Sequence, residues 1–579
     1  MAKAIFVRER IEVEAPGGAT VLDAARLGGV YLESPCNGNG TCGKCLVAVG
    51  GRRVLACRTA LAGGGGDGEG SGNGNGGGYD GGSDGGNGGC GNNDCGGGGN
   101  EASNDGGNSG DGGDGSGNGD GRGMEITTLG GQSENSTLQI LAGGRSRKHP
   151  LKPRYPKGYG LVADIGTTTL VATLANLETG AEAGTESMLN PQAQYAQDVL
   201  SRIHFAGEPG GLDTLHGALT DALNGAIGRL AANAGIAPRD IRDAVYSGNT
   251  TMLSIASRVD PSSLGRHPYS VALRGGAYIP AGRLGIGGEI YIPPIISAFV
   301  GADITSGILA SGLADRREPT LFIDIGTNGE MVLAVGGRLI ATSTAAGPAF
   351  EGMNISQGKR ASRGAIESFR FCDGDCDGDG SDGGNGGGNG SGNGNNGGGK
   401  GGSAGDGGSF AFSTIGGAEA DGICGSGLLD IVAELARTGR VEKTGRLASR
   451  AVAFQITDRV ALAQKDIRQV QLAKGAVRTG IDAMLRKLGL APGDIERVEI
   501  AGSFGYHLNE RSLLNLKLLP PEFEGKTRFV GNTSISGGAA FLLNTGLRDE
   551  MAAVAKTVEK IELANDEDFQ KRFVASLGF

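Results

Sequence analysis

The 579-residue sequence lacks any uninterrupted apolar run of about 18 residues, the length that a membrane-spanning helix needs. Its first segment, MAKAIFVRERIEVEA, alternates apolar and charged residues and has no apolar core of the signal-peptide type. An excess of positive charge is also lacking, because the formal net charge is −10 and the isoelectric point is about 5.3. These absences argue against a membrane protein and against nucleic acid as the main partner, and favour a cytoplasmic protein.

Tryptophan is absent as well, whereas glycine is abundant: there are 114 glycines, many of them in two tracts. The remaining sequence has an ordinary α/β composition, rich in alanine, leucine, isoleucine and valine. A chain of this length is expected to fold into several domains. In a cytoplasmic protein, nine cysteines indicate metal or redox chemistry rather than a disulfide framework.

Residues 1–62 form the first predicted domain. IFVRERIEVEA has the period-2 pattern of a strand pair, ATVLDAARLGG is typical of a short helix, and LVAVGGRRVLA predicts a hairpin that turns at Gly50 and Gly51. Two strands, a helix, a cysteine loop and a hairpin predict a small β-grasp domain.

Four cysteines of this block have the spacing C-x5-C-x2-C-x11-C: Cys36, Cys42, Cys45 and Cys57. A [2Fe–2S] cluster needs four thiolates around its two irons. Zinc is the alternative, since CGKC resembles half of a zinc site, but a zinc ribbon needs a second C-x2-C pair. The quartet therefore predicts a plant-type [2Fe–2S] cluster, and its first spacing resembles that of adrenodoxin-like ferredoxins.

The first glycine tract lies in a predicted linker, 63–130, which is followed by a residual linker, 131–157. The tract is made largely of Gly, Asn, Asp and Ser, so it cannot bury enough apolar area to offset the entropy of ordering it. A glycine-rich coil of about 60 residues has an r.m.s. reach of roughly 40–45 Å. We therefore expect a flexible tether, which would let the cluster domain alternate between an electron donor and an acceptor.

The second glycine tract, 372–409, interrupts the large domain that follows. Its flanks, 366–371 and 410–415, are strand-like, so it is interpreted as an overgrown hairpin loop, which chain entropy tolerates well. The four cysteines in the two tracts are interpreted as incidental: Cys90, Cys95, Cys372 and Cys376.

The large domain, 158–579, contains an internal repeat. GLVADIGTTTLVATLANLETG is echoed 160 residues later by TLFIDIGTNGEMVLAVGG, so that Asp164 corresponds to Asp324. Glycine lets such a turn bring its amides close to an anion, threonine hydroxyls add donors, and the aspartate can hold Mg²⁺ through water. Two copies predict two like-folded lobes, 158–317 and 318–579, which present their hairpins to one nucleotide.

Two later elements are suited to the nucleoside: VEIAGSFGYHLN, a strand with a Gly-Ser turn, and DGICGSGLLDIVAELARTG, a glycine-rich turn that opens an amphipathic helix. A helix N-terminus attracts anions. Each element alone is equally well explained as a tight turn before a helix. Their position after both hairpins favours a role in the nucleotide site.

This order of phosphate-1, phosphate-2 and adenosine elements resembles the actin, sugar-kinase and heat-shock ATPase (ASKHA) superfamily. More specifically, DIGTTT, NPQAQYAQDVLSRI, SGNTTM, FVGADI, DIGTNGE, AAGPAFEGMNIS, ICGSG and AGSFG resemble the reductive activators of corrinoid-dependent proteins. The resemblance covers the cysteine block and nearly all of 158–579. It implies an α/β multidomain protein, in which a β-grasp [2Fe–2S] ferredoxin-like domain precedes a two-lobed, actin-like ASKHA ATPase domain.

The resemblance also implies an activity: ATP-dependent reduction of a cobalt(II) corrinoid to cobalt(I), which restores it for methyl transfer. The implied cofactors are a [2Fe–2S] cluster, ATP and Mg²⁺. The implied partners are the corrinoid protein of a methyltransferase system and a low-potential electron donor, and a homodimer is possible. Members of this family usually carry a folded linker and a middle domain between the cluster domain and the ATPase domain. Here only the short residual linker, 131–157, separates the glycine tract from the ATPase domain. We therefore expect the middle domain to be missing.

Residue roles follow from the two hairpins and the elements after them. Asp164 and Asp324 would organise Mg²⁺ and water, and Glu330 would position water. The phosphates would be cradled by Gly166, Thr167, Thr168, Thr169, Gly326, Thr327 and Asn328. The adenosine would be bordered by Gly425, Ser426, Gly427, Gly502 and Ser503.

Other residues keep two interpretations. Asp198 and Asp303 could face the cleft or cap their helices, and Ser343, Thr344 and Asn354 could face the corrinoid or be structural. The alternative functions are an ATP-dependent activator of another low-potential metalloenzyme, a small-molecule kinase with a ferredoxin appendage, and an ATP-dependent module that senses redox state.

Overall fold

The computed structural model describes 1–30, 32, 34, 45–61, 124–128, 149–372, 409–502 and 508–579. Several predictions concern residues that lie outside these ranges and stay predictions: those on Cys36, Cys42, Cys90, Cys95, Cys376 and Ser503. Within the described ranges, no helix is both long enough and apolar enough to cross a membrane.

The N-terminal domain is built on a five-stranded sheet with one helix. Its elements are β1 (Ala2–Phe6), β2 (Ile11–Ala15), α1 (Val21–Leu27), β3 (Leu46–Val49), β4 (Arg52–Leu55) and β5 (Met124–Thr128). Thr20 caps α1, because its side chain accepts a hydrogen bond from the backbone N–H of Asp23 at 3.1 Å. The strand order is β2-β1-β5-β3-β4, with β5 parallel to β1 and antiparallel to β3. The predicted β-grasp fold and the hairpin of β3 and β4 are confirmed.

The position of β5 corrects two predictions about the first glycine tract. Met124–Thr128 is the central strand of the sheet, and Ile126 is fully buried in its core. The domain therefore does not end at residue 62, and 124–128 is not part of a linker. Since the described residues on both sides of the tract, up to Leu61 and from Met124, belong to one domain, the tract is an insertion in the sequence of that domain. The prediction that it tethers two domains is wrong.

The first lobe of the large domain follows. Its elements are β6 (Tyr159–Ile165), β7 (Thr169–Asn176), β8 (Glu182–Leu189), α2 (Val199–Ala206), α3 (Gly211–Asn233), β9 (Ile241–Gly248), α4 (Thr250–Ala256), β10 (Ala277–Pro280), β11 (Glu289–Ile292) and α5 (Ala302–Ser311). The sheet order is β10-β11-β9-β6-β7-β8, in which β6 is antiparallel to β7 and parallel to β9.

The second lobe follows the first. Its first elements are β12 (Thr320–Ile325), β13 (Gly329–Val335), β14 (Arg338–Thr344), β15 (Ala365–Phe371), β16 (Phe410–Thr414), β17 (Gly422–Ile423), α6 (Gly425–Arg437), β18 (Ala453–Gln455) and β19 (Ala461–Ala463). The others are α7 (Gln464–Leu488), β20 (Arg497–Ala501), α8 (Glu510–Asn515), β21 (Thr527–Gly531), α9 (Thr533–Leu543), α10 (Gly546–Thr557), β22 (Glu559–Lys560) and α11 (Phe569–Ala575).

The two lobes share one topology. The second sheet has the order β21-β20-β12-β13-β14-β22, so β12 pairs with an antiparallel β13 and a parallel β20. This arrangement matches that of β6 with β7 and β9 in the first lobe. The internal repeat that the sequence shows is therefore a repeat of structure.

Strand alternation divides the apolar residues between an outer and an inner layer. In β12, Leu321 and Ile323 belong to the core under α6 and α7, whereas Phe322 belongs to the core between the two sheets. In β6, Leu161 and Val162 divide in the same way. Because successive side chains of a strand point to opposite faces, this pattern sandwiches α5 and α9 between the sheets. The ends of the central strands thereby face one interlobe cleft.

The second glycine tract lies where the sequence predicts it. Strands β15 and β16 are antiparallel, with Phe371 opposite Phe410, so the residues between them close a hairpin. Cys372, which was interpreted as incidental, is disulfide-bonded.

Shortening the first tract tests its position inside the ferredoxin-like domain. We expect that replacing 66–120 with about ten Gly/Ser residues leaves the visible spectrum of the cluster unchanged. Loop closure should become cheaper by roughly 1–1.5 kcal/mol, since its cost grows with the logarithm of loop length. The measurement is thermal bleaching of that spectrum, with a matched shortening of 376–404 as the control. Loss of the spectrum in the first variant alone would show that the tract belongs to the folded domain.

Candidate functional site

The two repeated hairpins meet in the cleft. The first joins β6 to β7, and the second joins β12 to β13. The hydroxyl oxygens of Thr168 and Thr327 lie 3.1 Å apart, within hydrogen-bond distance. Each turn is closed by a glycine amide: that of Gly166 donates to the carbonyl of Thr169, and that of Gly326 to the carbonyl of Asn328. The structure therefore brings together the residues that were predicted to cradle phosphates.

Buried polar side chains fix the first hairpin from behind. Asn190 Nδ2 donates to the carbonyl of Gly166 at 2.8 Å, and Arg202 Nη2 donates to the carbonyl of Thr167 at 2.6 Å. Asn249 Nδ2 donates to Thr167 Oγ1 at 3.0 Å. These contacts explain the motifs NPQAQYAQDVLSRI and SGNTTM, in which the sequence analysis assigned candidate roles to Asp198 but not to Asn190, Arg202 or Asn249.

Glu351 holds the second hairpin and was not predicted. The hydroxyl of Thr327 donates to both carboxylate oxygens of Glu351 at 3.2 Å, and Thr168 also hydrogen-bonds to this carboxylate. The amide of Gly347 donates to the carbonyl of Thr327 at 2.8 Å. Glu351 lies in the motif AAGPAFEGMNIS, so its contact with both hairpins gives that motif a physical role.

Five carboxyl groups surround the hairpins: Asp164, Asp303, Asp324, Glu330 and Glu351. The Oδ1 of Asp164 accepts from Ser534 Oγ at 2.8 Å, and its Oδ2 accepts from Asn532 Nδ2 at 2.9 Å. Glu330 is buried on β13, directly opposite Asp324 on β12. The predicted acids of the two hairpins therefore lie in one cluster.

Burial raises the pKa of all five carboxyl groups, and repulsion between carboxylates adds to it at Asp303, Asp324 and Glu330. Burial, followed by the charges of Asp303 and Asp164, raises the pKa of Asp324 to about 8. Burial raises the pKa of Asp303 to about 7 and holds that of Glu330 well above its usual range. The pKa values of Asp164 and Glu351 are raised by burial too, although hydrogen bonds oppose the shift. A cation at this cluster would relieve the repulsion.

The donor set suits Mg²⁺ that is bound largely through water and phosphate. Among the described residues, no three Asp, Glu, His or Cys side chains are arranged to hold a metal ion by themselves. Mg²⁺ usually keeps several waters and takes one or two carboxylates together with substrate phosphates. Carboxylates beside a pair of phosphate-type hairpins fit that requirement.

The structure shows the surroundings of each residue that had two interpretations. Asp198 caps α2, because its Oδ1 accepts from the backbone N–H of Ser201 at 2.8 Å, whereas Asp303 belongs to the carboxylate cluster. Thr344 is buried and its hydroxyl donates to the carbonyl of Gly329, so its contact is structural. Ser343 pairs with Glu330 across β13 and β14, and Asn354 is exposed with a φ of 58°.

The predicted adenosine elements occupy different surroundings. The residue before Ser503, Gly502, has a φ of 118°, and a Cβ there would lie 2.5 Å from the carbonyl oxygen of Ile325 and 3.1 Å from Asp324 Oδ1. Only glycine allows this approach to the second hairpin. Gly425 begins α6, the hydroxyl of Ser426 donates to the carbonyl of Glu367, and a Cβ on Gly427 would meet the carbonyl oxygen of Ile366 at 2.1 Å. These three residues seat α6 against β15.

Two of the four predicted cluster ligands are described, and they lie together. Cys45 precedes β3 and Cys57 follows β4, so the hairpin brings their sulfur atoms to 3.3 Å. Both side chains are buried, and no disulfide joins them. A close pair of buried thiols at the end of a hairpin fits thiolate ligands of a single iron–sulfur cluster.

The ferredoxin-like domain contacts the first lobe beside the hairpin clamp. Arg26, in the last turn of α1, donates from Nε to the carbonyl of Gln194 at 2.8 Å. Gln194 ends the short turn Pro191–Gln194, and Asn190, which caps this turn, holds Gly166. The cysteine domain and the first hairpin are thus connected through one turn.

Comparisons with known protein families match most of the chain. Residues 5–63 match the family described as a 2Fe-2S iron-sulfur cluster binding domain. Residues 159–316 match the RACo middle region, and residues 318–579 match the C-terminal domain of RACo, the ASKHA domain. The expectation that the middle domain is missing is therefore wrong: the region is present, in residues that the sequence assigned to the first ATPase lobe.

Curated relatives and a solved structure agree with these matches. The chain is 30% identical to the corrinoid activation enzyme RamQ of Eubacterium limosum, over 73% of this chain and 70% of that protein. It is 27% identical to a [Co(II) methylated amine-specific corrinoid protein] reductase of Methanosarcina barkeri, over 50% of this chain and 52% of that protein. A reductive activator for a corrinoid, iron-sulfur protein shares the fold, with a TM-score of 0.64, 24% identity and coverage of 100% of this chain and 98% of that chain.

The carboxylate cluster predicts a stability gain for Asp324→Asn. The pKa of the wild-type Asp324 carboxyl is about 8 in the fold and 3.8 in an unfolded chain. Because the unfolded chain gives up this proton more easily, the wild type loses stability as the pH rises from about 4 to about 8. The variant avoids this loss, and its advantage at pH 8 should be at least about 1.4 kcal/mol, the equivalent of one pKa unit. Urea unfolding of the nucleotide-free chain at pH 4.5 and pH 8 measures this difference.

Asp198→Asn is the matched control, because Asn and Asp cap helices equally well and Asp198 lies outside the cluster. A pH-independent effect of Asp324→Asn, or an equal gain in the control, would contradict the electrostatic explanation.

Proposed function

The chain belongs to the RACo family, and on that premise we propose that it is an ATP-dependent reductive activator of a corrinoid protein. It would deliver one electron to the partner's cobalt(II), which becomes cobalt(I) and is again competent for methyl transfer. The proposal is carried by one observation above all: a chain that holds a buried cysteine pair also presents two like hairpins to each other, with Thr168 and Thr327 3.1 Å apart.

The energetics explain why an electron carrier would be joined to an ATPase. When bound at its four cysteines, a plant-type [2Fe–2S] cluster supplies one-electron transfer at about −400 mV. The cobalt(II)/(I) couple is expected to lie lower, and each 100 mV uphill costs about 2.3 kcal/mol per electron. Nucleotide binding offsets this cost if it favours a lobe arrangement in which the cobalt is easier to reduce.

In this proposal the chain's own residues hold and orient the nucleotide. Asp164 and Asp324 hold Mg²⁺ through water, and Glu330 positions water beside the second hairpin. Phosphates bind at Gly166, Thr167, Thr168, Thr169, Gly326, Thr327 and Asn328. The adenosine is bordered by Gly425, Ser426, Gly427, Gly502 and Ser503, and the cluster ligands are Cys36, Cys42, Cys45 and Cys57.

The contact of Arg26 with Gln194 supports a connection between the two activities. A movement of the first hairpin on nucleotide binding would be passed to the turn capped by Asn190, and this turn also bears the ferredoxin-like domain. The partner would be the corrinoid protein of a methyltransferase system, and the electron would come from a low-potential donor.

The experiment mixes the dithionite-reduced full chain, Mg-ATP and a cobalt(II) corrinoid protein, and follows the cobalt(I) absorbance band. We expect cobalt(I) only when ATP is present. Cys57→Ser should abolish cobalt(I) formation while sparing ATP binding. Thr168→Ala should reduce both ATP binding and cobalt(I) formation about tenfold or more, since it removes a hydroxyl that touches Thr327 and Glu351.

Thr214→Ala is the matched control, because Thr214 is exposed on α3 and its hydroxyl contacts only a backbone carbonyl of its own helix start. No ATP-dependent cobalt(I) with a panel of corrinoid proteins would reject the proposal. ATP-dependent phosphorylation of a small molecule instead would favour a kinase.

A further inference from the structure

We propose that Arg202 provides an internal counter-charge for the phosphates of the bound nucleotide. The inference rests on the nucleotide binding proposed above and adds a residue that touches neither the cleft surface nor the carboxylate cluster. Arg202 lies on α2, directly behind the first hairpin, and its side chain is fully buried.

The guanidinium of Arg202 is surrounded by neutral acceptors. Its Nε donates to the carbonyl of Ala196 at 3.0 Å, its Nη1 to Gln192 Oε1 at 3.1 Å and to the thioether of Met252, and its Nη2 to the carbonyl of Thr167. None of these acceptors in the described part of the chain is a carboxylate. The N–H groups of the guanidinium are therefore hydrogen-bonded, but its positive charge is not balanced by a neighbouring negative charge.

A buried charge of this kind is costly. Removing a guanidinium from water costs free energy, and an ion pair of good geometry can offset part of that cost. Arg202 has only dipolar contacts in place of its hydration. Burial lowers the pKa of Arg202 to about 9, while the charges of Asp198 and Glu351 act from a distance to raise it. Arg202 thus remains protonated at neutral pH, and the fold retains an unpaired cation beside a hairpin of the phosphate-binding type.

The orientation of the peptide between Thr167 and Thr168 shows how the charge reaches the cleft. In a trans peptide the carbonyl and the following N–H point in opposite directions. Because Arg202 donates to the carbonyl of Thr167, the N–H of Thr168 is directed away from Arg202 and from the buried side of the hairpin. A cation on the carbonyl also polarises the peptide and strengthens that N–H as a donor to an anion. The negative charge that balances Arg202 would then be supplied by the phosphates of the bound nucleotide.

A structural role is the competing explanation: Arg202 could simply fasten the turn Pro191–Gln194 and α2 to the hairpin. The two explanations differ in what a neutral replacement does. Loss of a counter-charge weakens binding in proportion to the negative charge of the ligand. Loss of a purely structural contact would weaken the binding of ATP and of adenosine equally, or would lower the stability of the fold without changing the ratio of the two affinities.

The first test compares Arg202→Met with Arg202→Lys in the full chain, by calorimetric titration with Mg-ATP and with adenosine. Arg202→Met should weaken ATP binding about tenfold, which corresponds to about 1.4 kcal/mol, and change adenosine binding less than twofold. Arg202→Lys keeps the charge but not the planar hydrogen bonds, and it should retain most of the ATP affinity.

The second test leaves Arg202 in place, so it does not depend on whether Arg202→Met folds. Gln192→Glu puts a carboxylate 3.1 Å from the guanidinium in a side chain of the same shape. The internal ion pair should neutralise the cation and weaken ATP binding about tenfold, again with little change for adenosine. Gln194→Glu is the matched control, since it adds the same charge on the same turn, away from the contacts of Arg202.

The outcomes are distinct. A loss confined to ATP in Arg202→Met and Gln192→Glu, with recovery in Arg202→Lys, supports the inference. It is overturned if wild type binds ATP but the ratio of ATP to adenosine affinity stays unchanged in both variants, or if Lys and Met behave alike. Failure of wild type to bind ATP would overturn the inference and the proposed function together.

Discussion

The contact between Thr168 and Thr327 is the point on which the arrangement of the large domain depends. It joins two turns that belong to different sheets, and each turn is fixed by buried polar groups of its own lobe: Asn190, Arg202 and Asn249 on one side and Glu351 on the other. Buried polar groups must be hydrogen-bonded, so the hairpins cannot shift without moving these partners. A ligand between the turns therefore acts on both lobes.

Charge distribution imposes a second constraint on the same cleft. Burial raises the pKa of all five carboxyl groups, and neighbouring carboxylates raise it further at Asp303, Asp324 and Glu330, whereas the Arg202 guanidinium behind the first hairpin donates only to neutral acceptors among the described residues. Crowded carboxylates and a buried cation without a counter-ion are both unfavourable in a protein interior, and a ligand that carries charges of both signs would relieve both. The magnesium-bound nucleotide that we propose would supply both signs in one ligand, with its cation facing the carboxylates and its phosphates facing the hairpins.

The sequence predicts the hairpins because their signal is local. Asp164 with Gly166 and Asp324 with Gly326 stand at strand ends, and the repetition of the pattern indicates one topology used twice. Glu351 and Arg202 could not be found in this way, because their roles depend on contacts with Thr327 and Thr167, which are remote in the chain. Asp303 and Asp198 illustrate the same limit: both begin helices, and only tertiary packing shows which one meets other carboxylates.

The position of β5 shows where local reasoning about glycine-rich sequence fails. A low-complexity tract can be recognised from composition, but composition does not reveal whether the chain returns to the domain that it left. The burial of Ile126 answers this question. Ile126 is fully buried in a short segment rich in β-branched residues, and this segment is the central strand of the sheet. The tract is thus no tether between the ferredoxin-like domain and the large domain. The contact of the ferredoxin-like domain through Arg26 with the turn of the hairpin clamp becomes the physical connection through which the nucleotide site and the cysteine pair can influence each other.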